Sequence, residues 1–186
     1  MTTPRLLSTC LKALWPCVLS LALLPAWADP ADRPPSTTVN AQAVQEIEAL
    51  IQAFKDALKH RDGAAMKALF LKEDGPWLTV TDERLLARLH QKWPDEVPDE
   101  PVRHTGSPAE FSDFIAKSPT PVEERFAHVQ ISTDSHIGSV YFDYDFRQNG
   151  VEQNSGAETW QLVHTRSGWK IAAMLFSFRQ PDAPKP

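Results

Sequence analysis

The sequence predicts an α+β roll, in which a curled antiparallel sheet from the last third of the chain is covered by N-terminal helices. Residues 139–147 alternate strictly, with Val140, Phe142, Tyr144 and Phe146 on one face and Ser139, Tyr141, Asp143, Asp145 and Arg147 on the other. A period of two over that length marks a half-buried strand. Asn149-Gly150 follows, the preferred pair for a type I′ hairpin, whose central residues both need positive φ. Upstream, Val44, Ile47, Leu50, Ile51, Phe54 and Leu58 fall on one helical stripe.

Taken in order, residues 1–28 read as a signal peptide. Arg5 and Lys12 make a basic start, residues 13–24 an apolar run, and Ala26-Trp27-Ala28 a small-residue cleavage pattern. The run falls short of the ~20 residues of a membrane span. The expected location is therefore periplasmic or secreted, with cleavage after Ala28 and no membrane association of the mature form. Cys10 and Cys17 both lie in the leader, so the mature chain has no disulfide, thiolate metal site or cysteine nucleophile. Residues 29–38 are proline-rich without a large apolar side chain and are expected to be disordered, as are residues 181–186. Between them, 39–180 reads as one domain.

The first helix is expected to start at a cap on Thr38 or Asn40 and to end at Arg61-Asp62-Gly63, with Asp62 capping a second short helix over 63–71. Residues 73–76 form a turn and 77–80 a short strand. Thr81 is the expected N-cap of a helix over 82–91 with Leu85, Leu86 and Leu89 inward. Prolines 94, 98, 101, 108, 119 and 121 exclude a long helix or central strand from residues 93–121. One short helix fits there, capped by Ser107 with Pro108 first and Glu110 third; the rest reads as a crossing or a lid. The sheet is expected to be a three-stranded meander (126–133, 139–147, 154–165) leading to a last strand, 169–179. That strand is apolar on both faces, which suggests a homodimer through the convex side.

The net charge of −5, with 24 acidic residues against 19 basic ones and no basic run, argues against nucleic acid or an anionic membrane as partner. The histidines are scattered without a metal-ligand spacing, so no metal and no cofactor are expected.

The order of elements, together with Tyr144-Asp145-Phe146 before the Asn149-Gly150 turn, residues 155–163 and Gly168-Trp169-Lys170-Ile171, resembles the nuclear-transport-factor-2-like superfamily, in particular its SnoaL-like members. The resemblance spans roughly residues 40–179. It implies a cone-shaped roll whose open end is a pocket for a small apolar or amphipathic molecule. It does not imply one reaction, because isomerases, dehydratases, epoxide hydrolases, cyclases and proteins without a known reaction share the fold. Steroid isomerases of this kind use a tyrosine from the helical layer, whereas Tyr141 and Tyr144, the only tyrosines here, lie on a strand.

Within the sheet, Gly156, Glu158, Trp160 and Leu162 share a face on which Glu158 is the only charge. On a concave wall such a carboxyl is desolvated and suited to act as a base or a ligand anchor; the alternative is an acid at the rim, or one paired with Arg125 or Arg147. The absent side chain at Gly156 would leave room for a ligand. Tyr144 and Trp160 are the further ligand-binding candidates, with His104 from the possible lid. Asp143 and Asp145 form a carboxylate pair on the opposite face that a solvated surface explains equally well. The expected function is an exported small-ligand-binding pocket protein. The alternatives are a small isomerase, dehydratase or cyclase with Glu158 as catalytic base, and a protein-interaction domain.

Overall fold

A computed structural model describes residues 40–181. The expected signal peptide, the 29–38 leader and the tail beyond residue 181 lie outside the described residues. Helix α1 (Ala41–His60) starts at Asn40, whose side chain accepts from the amides of Gln42 and Ala43. It ends at Arg61 in the left-handed region (φ 55°). Asp62 then caps α2 (Gly63–Ala68) by accepting from the Ala65 amide. Gly63 is needed for a close approach rather than for the turn: a Cβ there would lie 2.5 Å from the Ser112 carbonyl oxygen.

Strand β1 (Trp77–Thr81) leads to α3 (Glu83–Lys92). The cap of α3 is Asp82, which accepts from the Leu85 amide, and not Thr81. Thr81 is instead the buried last residue of β1. The proline-rich segment holds a strand that its composition conceals, β2 (Val102–His104), and α4 (Pro108–Lys117), which starts as expected at Ser107. Strand β2 is tolerated beside Pro101 because it is the sheet edge. The meander follows as β3 (Val122–Thr133), β4 (Ile137–Gln148), β5 (Val151–Thr165) and β6 (Gly168–Phe178). The two-residue turn between β4 and β5 has Asn149 and Gly150 at φ 52° and 75°.

The six strands run β2-β1-β6-β5-β4-β3. All neighbours are antiparallel except β1 and β6, which pair in parallel. The last strand is therefore central, with β1 covering the edge that a plain meander would leave open. Register shifts at Ala127/Gln130, Phe146/Arg147 and Gln161/Leu162 bend the sheet, with His128 at φ 54° in the first of them. Such bulges increase local twist and curl. The concave face meets α1: Ile47, Phe54 and Leu58 are fully buried, as are Val140, Phe142 and Trp160 opposite. The Phe54 ring lies 4.9 Å from that of Trp160. Burial of each such side chain contributes roughly 1.5–3 kcal/mol.

The space beside Gly156 is not open. Strand β6 fills it, and a Cβ on Gly156 would fall inside the contact radius of the Ser177 carbonyl oxygen. The same carbonyl accepts the Tyr144 hydroxyl at 2.9 Å, and the Ser177 hydroxyl accepts the Ala157 amide at 2.9 Å. Gly156→Ala is expected to destabilise the domain by about 3 kcal/mol in urea unfolding; a loss below about 1 kcal/mol would show that the strands can part at little cost.

Candidate functional site

A cavity of about 410 Å³ opens between the concave sheet face and the segments α3, β2 and α4. Its walls are apolar, formed among others by Trp77, Leu85, Phe111, Phe146, Met174 and Phe176. Phe114, which is 43% exposed, Thr105 and Gln180 line it and also reach solvent, so they mark its open side. Its ionisable groups are Glu124, Glu158, Tyr144 and Arg103.

Alternation on β5 turns Glu158 inward, and it is only 4% exposed. Its Oε1 accepts the Trp160 indole N–H at 2.6 Å. An N–H on a fully buried ring needs an acceptor, and on one strand the side chain two residues away is within reach. Trp160 itself does not line the cavity; it positions Glu158. Neither expected arginine partner is used: Arg125 pairs with Glu123, and Arg147 with Asp145 and Glu152.

Glu158 meets a second carboxyl instead. Glu124, 7% exposed on β3, lines the same cavity and is in hydrogen-bond contact with it. Glu124 Oε1 has no hydrogen-bond partner among the described residues. Burial pushes Glu158 up to about 8, against the lowering effect of the bonds from Trp160 and Glu124. Glu124 is raised well above the ordinary carboxyl range, first by burial and then by the charges of Glu158 and Asp145, with Lys55 opposing. Two carboxyls in one dry site do not ionise together at neutral pH. Burial and mutual proximity keep protons on the pair at pH values where an ordinary carboxyl is ionised.

Tyr144 lines the wall, but its hydroxyl is committed to Ser177, and burial raises its pKa strongly. Its role in the cavity is that of an apolar ring. His104 is exposed and does not line the cavity; its neighbours in sequence, Arg103 and Thr105, do. Alternation along β2 turns the histidine away. On the convex face Asp143 meets His128 at 2.7 Å and Asp145 meets Arg147 at 2.5 Å. Among the described residues no three His, Cys, Asp or Glu side chains converge as a metal site.

Sequence reading missed two site residues. With β3 begun at Phe126, Glu124 fell outside the pattern; begun at Val122, the strand places Val122, Glu124 and Phe126 on one face, the same signal that singled out Glu158. Arg103 left no signal, because it stands in a proline-rich segment between the exposed Val102 and His104.

The carboxyl pair has a consequence for stability. Both folded-state pKa values lie above the unfolded ones, so the folded protein keeps protons that the unfolded chain releases. The associated stability is full below about pH 4.5 and is lost as pH rises through about 8. It amounts to a few kcal/mol. Urea midpoints are expected to fall between pH 5 and pH 9 in the wild type and to change much less in the E124Q/E158Q double variant. Equal pH dependence in both proteins would contradict the buried pair.

No protein-family model and no curated protein matches the chain. Solved structures do. A nuclear-transport-factor-2-like protein with a cystatin-like fold from Novosphingobium aromaticivorans aligns at TM-score 0.53 and 13% identity, over 77% of this chain and 86% of its own. A protein of the same kind and unknown function from Shewanella baltica aligns at TM-score 0.52 and 16% identity, over 77% and 99%. A candidate dehydratase of the nuclear-transport-factor-2-like family from Streptomyces avermitilis aligns at 0.51 and 17%, over 76% and 99%. The curled, unclosed six-stranded sheet and its helical cover are thus those of the nuclear-transport-factor-2-like, cystatin-like fold.

Proposed function

We propose that this is an exported protein whose cavity binds a small, largely apolar or amphipathic molecule, and whose Glu124–Glu158 pair moves a proton on it. The observation that carries the reading is the second carboxyl. One glutamate suffices to accept the Trp160 N–H, but burying Glu124 beside it opposes folding at neutral pH and, among the described residues, satisfies no backbone or side-chain donor of the fold. Groups held at such a cost are characteristic of acid–base sites.

The chemistry is that of a cofactor-independent isomerase, dehydratase or cyclase. With one proton on the pair, the Glu158 carboxylate takes a second from a carbon acid beside a carbonyl. The pair then returns one proton, either to a neighbouring carbon, which gives isomerisation, or to a departing hydroxyl, which gives dehydration. Apolar walls exclude water and keep the proton from leaking to solvent. The candidate dehydratase among the similar folds supports this reaction class. Pure binding without turnover is the second reading, favoured by the aromatic and aliphatic side chains that make up most of the wall.

Deuterium exchange separates the two. Enolisable ketones seen by NMR to occupy the cavity are expected to exchange their α-hydrogens in D₂O, faster as pH rises through about 8. Glu158→Gln should slow that exchange by ~100-fold or more. A bound ketone that does not exchange would overturn the proton-transfer reading and leave binding alone. Export is tested separately: the exported protein should begin at Asp29, and a full-length cytosolic product would contradict it.

A further inference from the structure

Arg103 stands apart from the carboxyl pair within the same cavity. Its Nε and Nη2 are buried and have no hydrogen-bond partner among the described residues. The charges acting on Glu124 are those of Glu158, Asp145 and Lys55, and Arg103 is not among them. A guanidinium is always protonated, and its buried N–H donors are costly to leave unpaired. Thr79 and Thr105 line the cavity beside the β1–β2 edge, but their hydroxyls bond to each other. Arg103 thus lines the cavity with two parallel donors buried in its wall and left unpaired by the local structure.

We propose that Arg103 is a subsite for the carboxylate of an amphipathic ligand, whose apolar body extends along the aromatic wall towards Glu124 and Glu158. This rests on the cavity being a ligand site, as argued above. The Nε–Nη2 edge matches two oxygens of a planar anion side by side. One cation balances a monoanion, whereas a phosphate dianion would leave a surplus negative charge in an apolar cavity. Among the described residues that line the cavity, Arg103 is the one cationic side chain. The resulting ligand carries an acid group at one end and the reacting or hydrogen-bonding centre at the other.

Octanoate, octan-1-ol and octyl phosphate share a chain and differ at the head, so their titration by NMR at pH 7 reads the subsite directly. Octanoate is expected to bind at least ten-fold more tightly than the alcohol and more tightly than the phosphate. Arg103→Met should bring octanoate to the level of the alcohol while leaving the ligand-free melting temperature unchanged or raised, since the donors it removes have no partner in the fold. Glu158→Gln should keep the preference for octanoate. Arg103→Lys keeps the charge but not the two-nitrogen edge; its preference should be smaller than that of the wild type. That variant carries the test if R103M does not fold, and an unchanged preference in it would then overturn the proposal. Equal binding of octanoate and octanol, a preference that survives R103M, or a lower melting temperature in a folded R103M each overturns the subsite while the cavity reading stands. Tightest binding of octyl phosphate overturns the carboxylate assignment. Failure of all three probes to bind overturns the cavity reading and the subsite with it.

Discussion

The structure turns on one hydrogen bond, from the Trp160 indole to the Glu158 carboxyl at 2.6 Å. Trp160 is the largest fully buried side chain, its ring 4.9 Å from Phe54, 5.2 Å from Phe142 and 5.8 Å from Phe126. A tryptophan placed there joins helix and sheet, but its N–H must find an acceptor away from water. Strand geometry offers the same-face residue two positions back, and the chain has a glutamate there. The acid is thus held by a fully buried ring that packs against three phenylalanines. A site built on a strand and fixed by packing keeps its geometry better than one carried on a loop.

That bond accounts for one carboxyl and not for two. Glu124 comes from β3, two strands away in the sheet, and reaches Glu158 because the bulges in the meander curl its concave face inward. The proline-rich segment closes the other side with β2 and α4. The result is an apolar chamber with a proton-holding pair of carboxyls and a separate guanidinium. The guanidinium and the carboxyls make no ion pair with one another, and Arg103 Nε and Nη2 and Glu124 Oε1 are left without partners among the described residues, which fits a ligand better than a stabilising ion pair.

Much of this architecture was legible in the sequence. The alternation of residues 139–147, the Asn149-Gly150 turn and the α1 stripe specified the meander and its helical cover, because each is a local rule that tertiary structure did not override. Glu158 was legible for the same reason, as a charge on an otherwise apolar strand face. What escaped was non-local. The parallel pairing of β1 with β6 joins segments nearly a hundred residues apart and is written in no local pattern. Strand β2 is three residues long, too short for periodicity to register, and Arg103 went with it. Gly156 was legible as a glycine that something must approach, but whether a ligand or the neighbouring strand does so depends on register, and the neighbour is Ser177.

The central claim is that Glu124 and Glu158 share a dry site and keep their protons at neutral pH. Carboxyl carbon shifts of the ligand-free protein, followed by NMR from pH 3 to 10 with assignment from E124Q and E158Q, measure it directly. The account predicts that Glu158 titrates near 8, that Glu124 titrates well above the ordinary carboxyl range, and that removing either glutamate shifts the titration of the other. Independent titration of both glutamates in the ordinary carboxyl range near 4.5 would contradict it.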